Sequence, residues 1–368
     1  MTAGMNVKMS EDTGVHECVV RFDEGELDLV RTLQPGQSFT WTEVDPGVFE
    51  GVLHHCLFQF HTTAATKKEE EGPKGEEGQS CPAVDLHCRC TSFKRSIESD
   101  EDQWVGAPDP SSDLEAFVRW YFRADESLAS LYAQWSGSAH PLARGLHTGS
   151  PGVRLLRQEP IECVMSYICS QNNHVPRIHA LVQALRDHYG VLLNPDKGGS
   201  EVRAFPTLKR LASVPASELA DLRFGYRAEY IPSAAKTLLE RGGAAYLHKL
   251  ADKTTSTAEA LEALKALHGV GPKVAACVAL YALEKHELVP LDVHMLDVAT
   301  RALSLRGKAG AGKRGSRLQN TPEVRERVQE AFVEAFGPYA GWAQALLFIQ
   351  ELDGTKEEGA PPSKKGRK

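Results

Sequence analysis

A glycine-rich break between two helical patterns constrains this chain more than any other feature. Leu261 to Leu267 reads as the end of a helix, His268-Gly269-Val270-Gly271 follows, and Pro272-Lys273 opens a second helix. Two glycines in the break permit positive φ, which a tight turn needs. Pro272 suits the first helical position, where a missing N–H costs nothing. Beyond it, Val274, Cys277, Val278 and Tyr281 fall at i, i+3, i+4 and i+7 and form one apolar stripe. The spacing predicts a helix–hairpin–helix over 257–285. In such a hairpin the backbone at Gly269 and Gly271 can approach a phosphate closely. The free N–H groups of the second helix then favour the anion. That grips a nucleic-acid backbone without reading its sequence, although an ordinary helical hairpin carries the same pattern.

A carboxylate follows at a fixed distance. Val289-Pro290-Leu291-Asp292-Val293-His294 lies nineteen residues beyond Lys273, counted to the aspartate. Pro290 disfavours helix just before it, so Asp292 reads as an N-cap. Near an amine, the same carboxylate can stabilise a developing cation and manage protons. A lysine at a helix N-terminus opposes the helix dipole, which favours the neutral, nucleophilic amine. The plain alternatives are a cap and a surface lysine.

Net charge is −7 over 368 residues, which argues against a polyanionic partner until the chain is divided. Residues 1–140 hold 11 basic and 25 acidic side chains, 141–350 hold 26 and 20, and 351–368 hold 5 and 4. The middle of the chain can therefore face a polyanion. Part of the asymmetry is one run, KEEEGPKGEE at 68–77, with five acidic residues. A hydrophobic fraction of 42% supplies material for two or three domain cores. No apolar run suits a membrane helix, and Met1–Glu17 lacks the pattern of a secretion or transit peptide. A soluble protein with no membrane partner is expected. Eight scattered cysteines fit a reducing compartment. Cys81, Cys88 and Cys90 with His87 lack the paired C-x2-C spacing of a structural zinc site.

The predicted organisation is α+β: an N-terminal antiparallel β-sheet domain followed by a mostly helical domain containing the hairpin. Residues 1–112 form the sheet domain, with strands at 19–22, 39–42, 48–53, 56–60 and 88–93 and a disordered acidic loop at 63–80. Residues 113–352 form the helical domain, entered through the N-cap Asp113. Its helices are expected at 159–171, 175–189, 207–214, 216–223, 228–241, 256–267, 272–285, 292–305, 322–336 and 338–352. A basic glycine-rich loop at 307–318 and a basic disordered tail at 353–368 complete the chain.

The Gly-Val-Gly-Pro-Lys-Val-Ala and Val-Pro-Leu-Asp-Val-His segments, with their spacing, resemble the helix–hairpin–helix base-excision DNA glycosylases. Further stretches resemble the eukaryotic-type 8-oxoguanine DNA glycosylases in particular. They are Gly36–Trp41, Gly152–Cys163, Ile168–Asn173, Gly225–Ala228 and Gly337–Ala345, in order across roughly 18–350. The resemblance implies a glycosylase that flips 8-oxoguanine, paired with cytosine, out of double-stranded DNA. It also implies strand nicking by apurinic/apyrimidinic lyase chemistry, no metal or organic cofactor, and action as a monomer in the nucleus, with a mitochondrial isoform left open. The basic tail is compatible with nuclear import.

Roles follow from the same resemblance. Lys273 matches the nucleophile that attacks the sugar C1′ and forms a Schiff base, and Asp292 matches the carboxylate that assists it. Gly36 matches the glycine whose carbonyl accepts from N7–H of the lesion, a proton that guanine lacks. Gln344 matches the reader of the Watson–Crick edge, and Cys277 and Phe348 match the two faces that sandwich the base. His294 matches a phosphate contact. Asn172, Arg177 and Arg227 match the residues that engage the orphaned cytosine, and Tyr226 matches the wedge in the disrupted stack. His174 and Pro176 depart from the family pattern beside that cytosine loop.

Three rivals are weaker. The endonuclease III and adenine-glycosylase branch commonly carries four cysteines for an iron–sulfur cluster, and no cysteine follows Cys277 here. Alkylated-base glycosylases typically lack the lysine. A noncatalytic DNA-binding protein on the same scaffold would not need both Lys273 and Asp292.

Overall fold

In the first hundred residues, alternating apolar side chains build one layer. The computed structural model describes residues 13–33, 36–53, 55–65, 82–93, 104–146, 152–194, 201–303 and 319–358. Strands β1 (Thr13–Phe22), β2 (Thr42–Asp45), β3 (Val48–Leu53), β4 (Cys56–Ala64) and β5 (Val84–Phe93) form an antiparallel sheet in the order β1-β5-β4-β3-β2. A short helix α1 (Leu29–Leu33) follows β1. On the inner face Val20, Phe58, Phe60, Leu86 and Cys90 are fully buried. Helix α2 (Leu114–Tyr121) closes that face, with Phe117 stacked on Phe58 at 5.1 Å. Asp113 caps it, accepting from the Ala116 N–H at 2.9 Å. This helix, at the entry to the expected helical domain, thus packs into the sheet's own core.

One expected strand is corrected. Phe39, Thr40 and Trp41 lie outside β2, and all three are buried in succession, so no alternating face exists there. They cross between layers instead: Phe39 enters the helical core and Trp41 the sheet core. The Thr40 hydroxyl donates to Glu162 at 2.5 Å, and Arg186 donates to the same carboxylate at 2.6 Å. The expected acidic loop begins later than 63, because β4 runs to Ala64 and the Ala65 N–H donates to the Ala83 carbonyl. The rest of that loop, 66–80, lies outside the described residues, as do 307–318 and 359–368.

The helical layer comprises α3 (Leu128–Ser136), α4 (Pro141–Gly145), α5 (Pro160–Cys169), α6 (Val175–Tyr189), α7 (Leu208–Ser213), α8 (Ala216–Asp221), α9 (Arg227–Glu240), α10 (Gly243–Ala251), α11 (Thr257–Lys265), α12 (Pro272–Ala282), α13 (Val293–Ala302), α14 (Pro322–Phe336) and α15 (Ala340–Glu358). Helix α5 is its axis: all ten residues are buried, and it packs against α12, α6, α10 and α9. Helix α15 extends into the segment expected as tail from 353, since no proline interrupts it before Pro361. Among the described residues, no helix is long and apolar enough to cross a membrane.

One buried side chain, Gln37, fastens the Gly36–Trp41 segment, and a second, Arg154, fixes the stretch that it binds. Gln37 donates to the carbonyls of Thr32 at 2.7 Å and Arg154 at 2.9 Å, and accepts from the Leu156 N–H at 3.0 Å. Arg154, 1% exposed, sends its guanidinium to the carbonyls of Glu26, Arg123 and Glu126 and to the Glu26 carboxylate. Gly36 therefore sits beside a residue that is held in place by its own side chain.

Candidate active site

The site starts at the hairpin between α11 and α12. Ser256 and Glu259 form a reciprocal capping box at the start of α11. The turn needs glycine at Gly269: φ is +84°, and a Cβ there would lie 2.5 Å from the Tyr230 ring. Gly271 corrects an expectation. Its φ is −89°, and it serves as the extended N-cap of α12, with open space around it. One left-handed residue completes the turn, so the second glycine supplies clearance and not positive φ.

Lys273 is the second residue of α12 and is partly exposed. Its Nζ stands 5.4 Å from the centre of the Tyr167 ring, contributed by α5. One turn along, Cys277 is buried. Burial pushes the Cys277 thiol up; the Lys273 amine pulls it down and the Asp292 carboxylate pushes it up, so both charges act on one sulfur. Asp292 is the N-cap of α13 and accepts from the Met295 N–H at 2.9 Å, leaving one carboxylate oxygen beyond the cap. The cap and the charge role expected of Asp292 are compatible in one side chain.

The proposed base-contacting residues close the site from α15 and from the sheet domain. The His294 and Phe348 rings meet edge to face at 6.0 Å, joining the start of α13 to α15. Gln344, one turn before Phe348, is 4% exposed. Among the described residues nothing donates to its Oε1. A buried acceptor without a donor costs about 1–3 kcal/mol, which a ligand with a suitable N–H would offset. From the other side, the Tyr167 hydroxyl lies 3.5 Å from the Gly36 carbonyl and 3.1 Å from that of Gln37. Gly36 has a φ of +79°, and Val175 lies 3.1 Å from where a Cβ would stand.

A second cluster lies beside the hairpin. The Asn172 side chain, on a residue with φ of 45°, donates to the Tyr226 hydroxyl at 3.4 Å. Tyr226 is exposed, and its hydroxyl donates to the Gln171 carbonyl at 3.1 Å. Arg227 lies 4.5 Å over the Tyr226 ring and also donates to the Gln171 carbonyl. Its head is buried in this conformation and not presented to solvent. Arg177 is exposed and reaches the Arg223 carbonyl at 3.3 Å. The structure thus brings Asn172, Tyr226 and Arg227 together, with Arg177 attached through the 223–226 turn. His174, at the departure from the family pattern, is the N-cap of α6 without a side-chain capping bond.

Residues 19–164 match the family described as 8-oxoguanine DNA glycosylase, N-terminal domain. Residues 165–323 match the HhH-GPD superfamily of base excision DNA repair proteins. The chain belongs to the 8-oxoguanine DNA glycosylase family. It is 40% identical over 334 residues to the N-glycosylase/DNA lyase OGG1 of Arabidopsis thaliana, covering 90% of this chain and 79% of that protein. It is 29% identical to the N-glycosylase/DNA lyase of Saccharomyces cerevisiae, over 94% of this chain and 89% of that one. Its fold is similar to the Clostridium acetobutylicum 8-oxoguanine glycosylase/lyase solved with duplex DNA containing cytosine opposite 8-oxoguanine. There the TM-score is 0.65 at 20% identity, over 95% of this chain and 98% of that one.

As a member of this family, the chain is a DNA N-glycosylase/lyase of base excision repair. Its site includes residues that the sequence motifs did not single out. Tyr167 touches both the Lys273 amine and the Gly36–Gln37 carbonyls. Gln171 joins the hairpin to the Asn172 cluster. Gln158 donates to the Gln37 carbonyl from a stretch that reads only as the approach to α5. The signal for Gln158 and Gln171 was a polar residue inside a family-like stretch, and Tyr167 carried no such signal.

Proposed function

We propose that this chain excises 8-oxoguanine paired with cytosine from duplex DNA and nicks the resulting strand, with Lys273 as nucleophile. The observation that carries the reading is the Lys273 amine, placed directly after the hairpin at the start of α12 and 5.4 Å from the ring of Tyr167, whose hydroxyl reaches the Gly36 carbonyl. The amine nitrogen bonds to C1′ as the glycosidic bond breaks, and the bonding pair leaves with the base. Asp292 stabilises the cationic character that develops at the sugar. Loss of one proton from nitrogen, then opening of the sugar as its ring oxygen takes up a proton, gives a protonated imine. That imine is an electron sink, so a proton lost from C2′ expels the 3′ phosphate by β-elimination. Gln344 supplies an acceptor that no described residue donates to, matched to the N–H groups of a purine's pairing edge.

Incubation with an 8-oxoguanine·cytosine duplex and borohydride should yield a covalent protein–DNA adduct, and Lys273→Gln should abolish it while damaged-duplex binding persists. Absence of an adduct with active wild-type protein would remove the lysine mechanism. A panel of lesions and opposite bases in the same assay tests substrate choice. Nuclear residence is proposed from Lys364-Lys365-Gly366-Arg367-Lys368. Imaging of the full chain with and without that run tests it.

A further inference from the structure

Tyr167 lies where three parts of the site meet. Its ring stacks on Tyr281 of α12, with centroids 5.6 Å apart and planes within 1°. Phe39 meets it edge to face at 5.9 Å, and the Lys273 Nζ stands 5.4 Å from its centre. Its hydroxyl reaches the Gln37 carbonyl at 3.1 Å and the Gly36 carbonyl at 3.5 Å. Burial, with the Tyr281 phenol beside it, keeps the Tyr167 hydroxyl protonated far above the ordinary range, so it remains a donor.

The Gly36–Gln37 peptide needs such a donor. Gly36 is left-handed, with φ of +79°, a conformation in which a glycine backbone turns easily. On the far side Gln37 is held by its side chain to Thr32, Arg154 and Leu156, and by Gln158 at its carbonyl. Among the described residues, Tyr167 reaches both carbonyls of the turn. A carbonyl that discriminates by accepting one extra proton must hold its direction, because a rotated acceptor neither rewards N7–H nor repels a bare lone pair.

We propose that Tyr167 is a specificity-determining positioning residue: its hydroxyl sets the aim of the Gly36 carbonyl, and its ring seats the Lys273 amine. This rests on the 8-oxoguanine reading given above. The two parts are separable, since phenylalanine keeps the ring and loses the hydroxyl.

The test compares wild type, Tyr167→Phe and Tyr167→Leu on 8-oxoguanine·cytosine and guanine·cytosine duplexes. Affinities, single-turnover kcat, KM and borohydride trapping are measured for each. Tyr167→Phe should lower the affinity ratio between the two duplexes roughly three- to tenfold, the scale of one hydrogen bond, with the loss concentrated in KM. Tyr167→Leu should also slow trapping, by roughly three- to tenfold, as the ring face that positions the Lys273 side chain is lost. A Tyr167→Phe protein with the wild-type affinity ratio, or with its loss in kcat alone, overturns the assignment. Wild-type protein that forms no adduct overturns the underlying reading, and this inference with it. The affinity ratio tells the two failures apart, because it requires no chemistry.

Discussion

Gln171 bridges the hairpin turn and the Asn172 cluster: its side-chain amide donates to the Gly269 carbonyl at 2.8 Å, and its own carbonyl accepts from Tyr226 and Arg227. One residue therefore sets the spacing between the turn proposed to bind phosphate and the residues proposed to meet the unpaired cytosine. Gln171→Leu keeps the side-chain size and leaves the Gly269 carbonyl unpaired. It should weaken duplex affinity roughly fivefold and flatten the preference for cytosine over adenine opposite the lesion. Fluorescence anisotropy with both duplexes measures this. An affinity loss with the cytosine preference intact would show that Gln171 serves the hairpin alone.

Arg154 carries a different weight. Its head is enclosed by the Glu26, Arg123 and Glu126 carbonyls and the Glu26 carboxylate, and it lies 5.0 Å over the Phe22 ring. Burial lowers its pKa to about 10, so it stays charged at neutral pH. Lysine retains the charge but lacks the planar fork that serves several acceptors at once. Arg154→Lys should destabilise the fold by about 3 kcal/mol, read as a lower urea midpoint with an unchanged slope. A midpoint within error of wild type would mean that the fork is dispensable.

The two layers and the hairpin were legible because each rests on a local rule. Alternation at 48–53 and 56–60 became β3 and β4, the Asp113 and Asp292 caps stand where their helices begin, and Gly269-Val270-Gly271-Pro272 turns as its composition requires. What the sequence hid has one physical cause, burial on all sides. Helix α5 shows no period because all ten of its residues are buried, so Tyr167 is indistinguishable from its apolar neighbours. Phe39–Trp41 imitates a strand because two cores claim neighbouring residues. Helices α3, α4 and α10 were missed as short segments of five to nine residues whose order comes from packing. The motifs named the Gly36, Asn172 and Lys273 segments, but only the fold brought Gln158, Tyr167 and Gln171 between them.

Glu284 gives the fold a pH dependence. Burial would raise its pKa, but the His286 ring 3.4 Å away, hydrogen bonds from Arg123 and the Arg157 charge hold its carboxyl well below the ordinary 4.5. The Arg123 contacts are 2.5 and 2.8 Å, and they tie the end of α2 to the end of α12. A depressed carboxylate stabilises the folded state above its unfolded pKa, and that contribution fades as pH falls through the ordinary value and below. The carboxylate is partly exposed, so the pair contributes about 2 kcal/mol at neutral pH after screening. Glu284→Gln should lower stability by that amount from about pH 6 upward, with the gap to wild type narrowing as pH falls below 4.5. Urea midpoints between pH 3 and 8 measure it. A gap that is constant with pH would assign the loss to packing.

Asp292 offers the sharpest separation of structure from chemistry, because one oxygen caps α13 while the charge belongs to the site. Asparagine is as good an N-cap as aspartate, and its amide oxygen can accept from the Met295 N–H in the same way. Asp292→Asn should therefore fold with stability within about 0.5 kcal/mol of wild type, since only the favourable interaction of a negative charge with the helix N-terminus is lost. The sugar at C1′ would still develop positive charge without a carboxylate to meet it. Single-turnover excision should fall by at least about a hundredfold. Asp292→Ala removes the cap as well and should lose roughly 1 kcal/mol beyond the asparagine variant. Measuring unfolding and turnover on both proteins distinguishes the two roles. If Asp292→Asn turns over at the wild-type rate, the carboxylate is a cap and no more, and the charge stabilisation must come from elsewhere in the site.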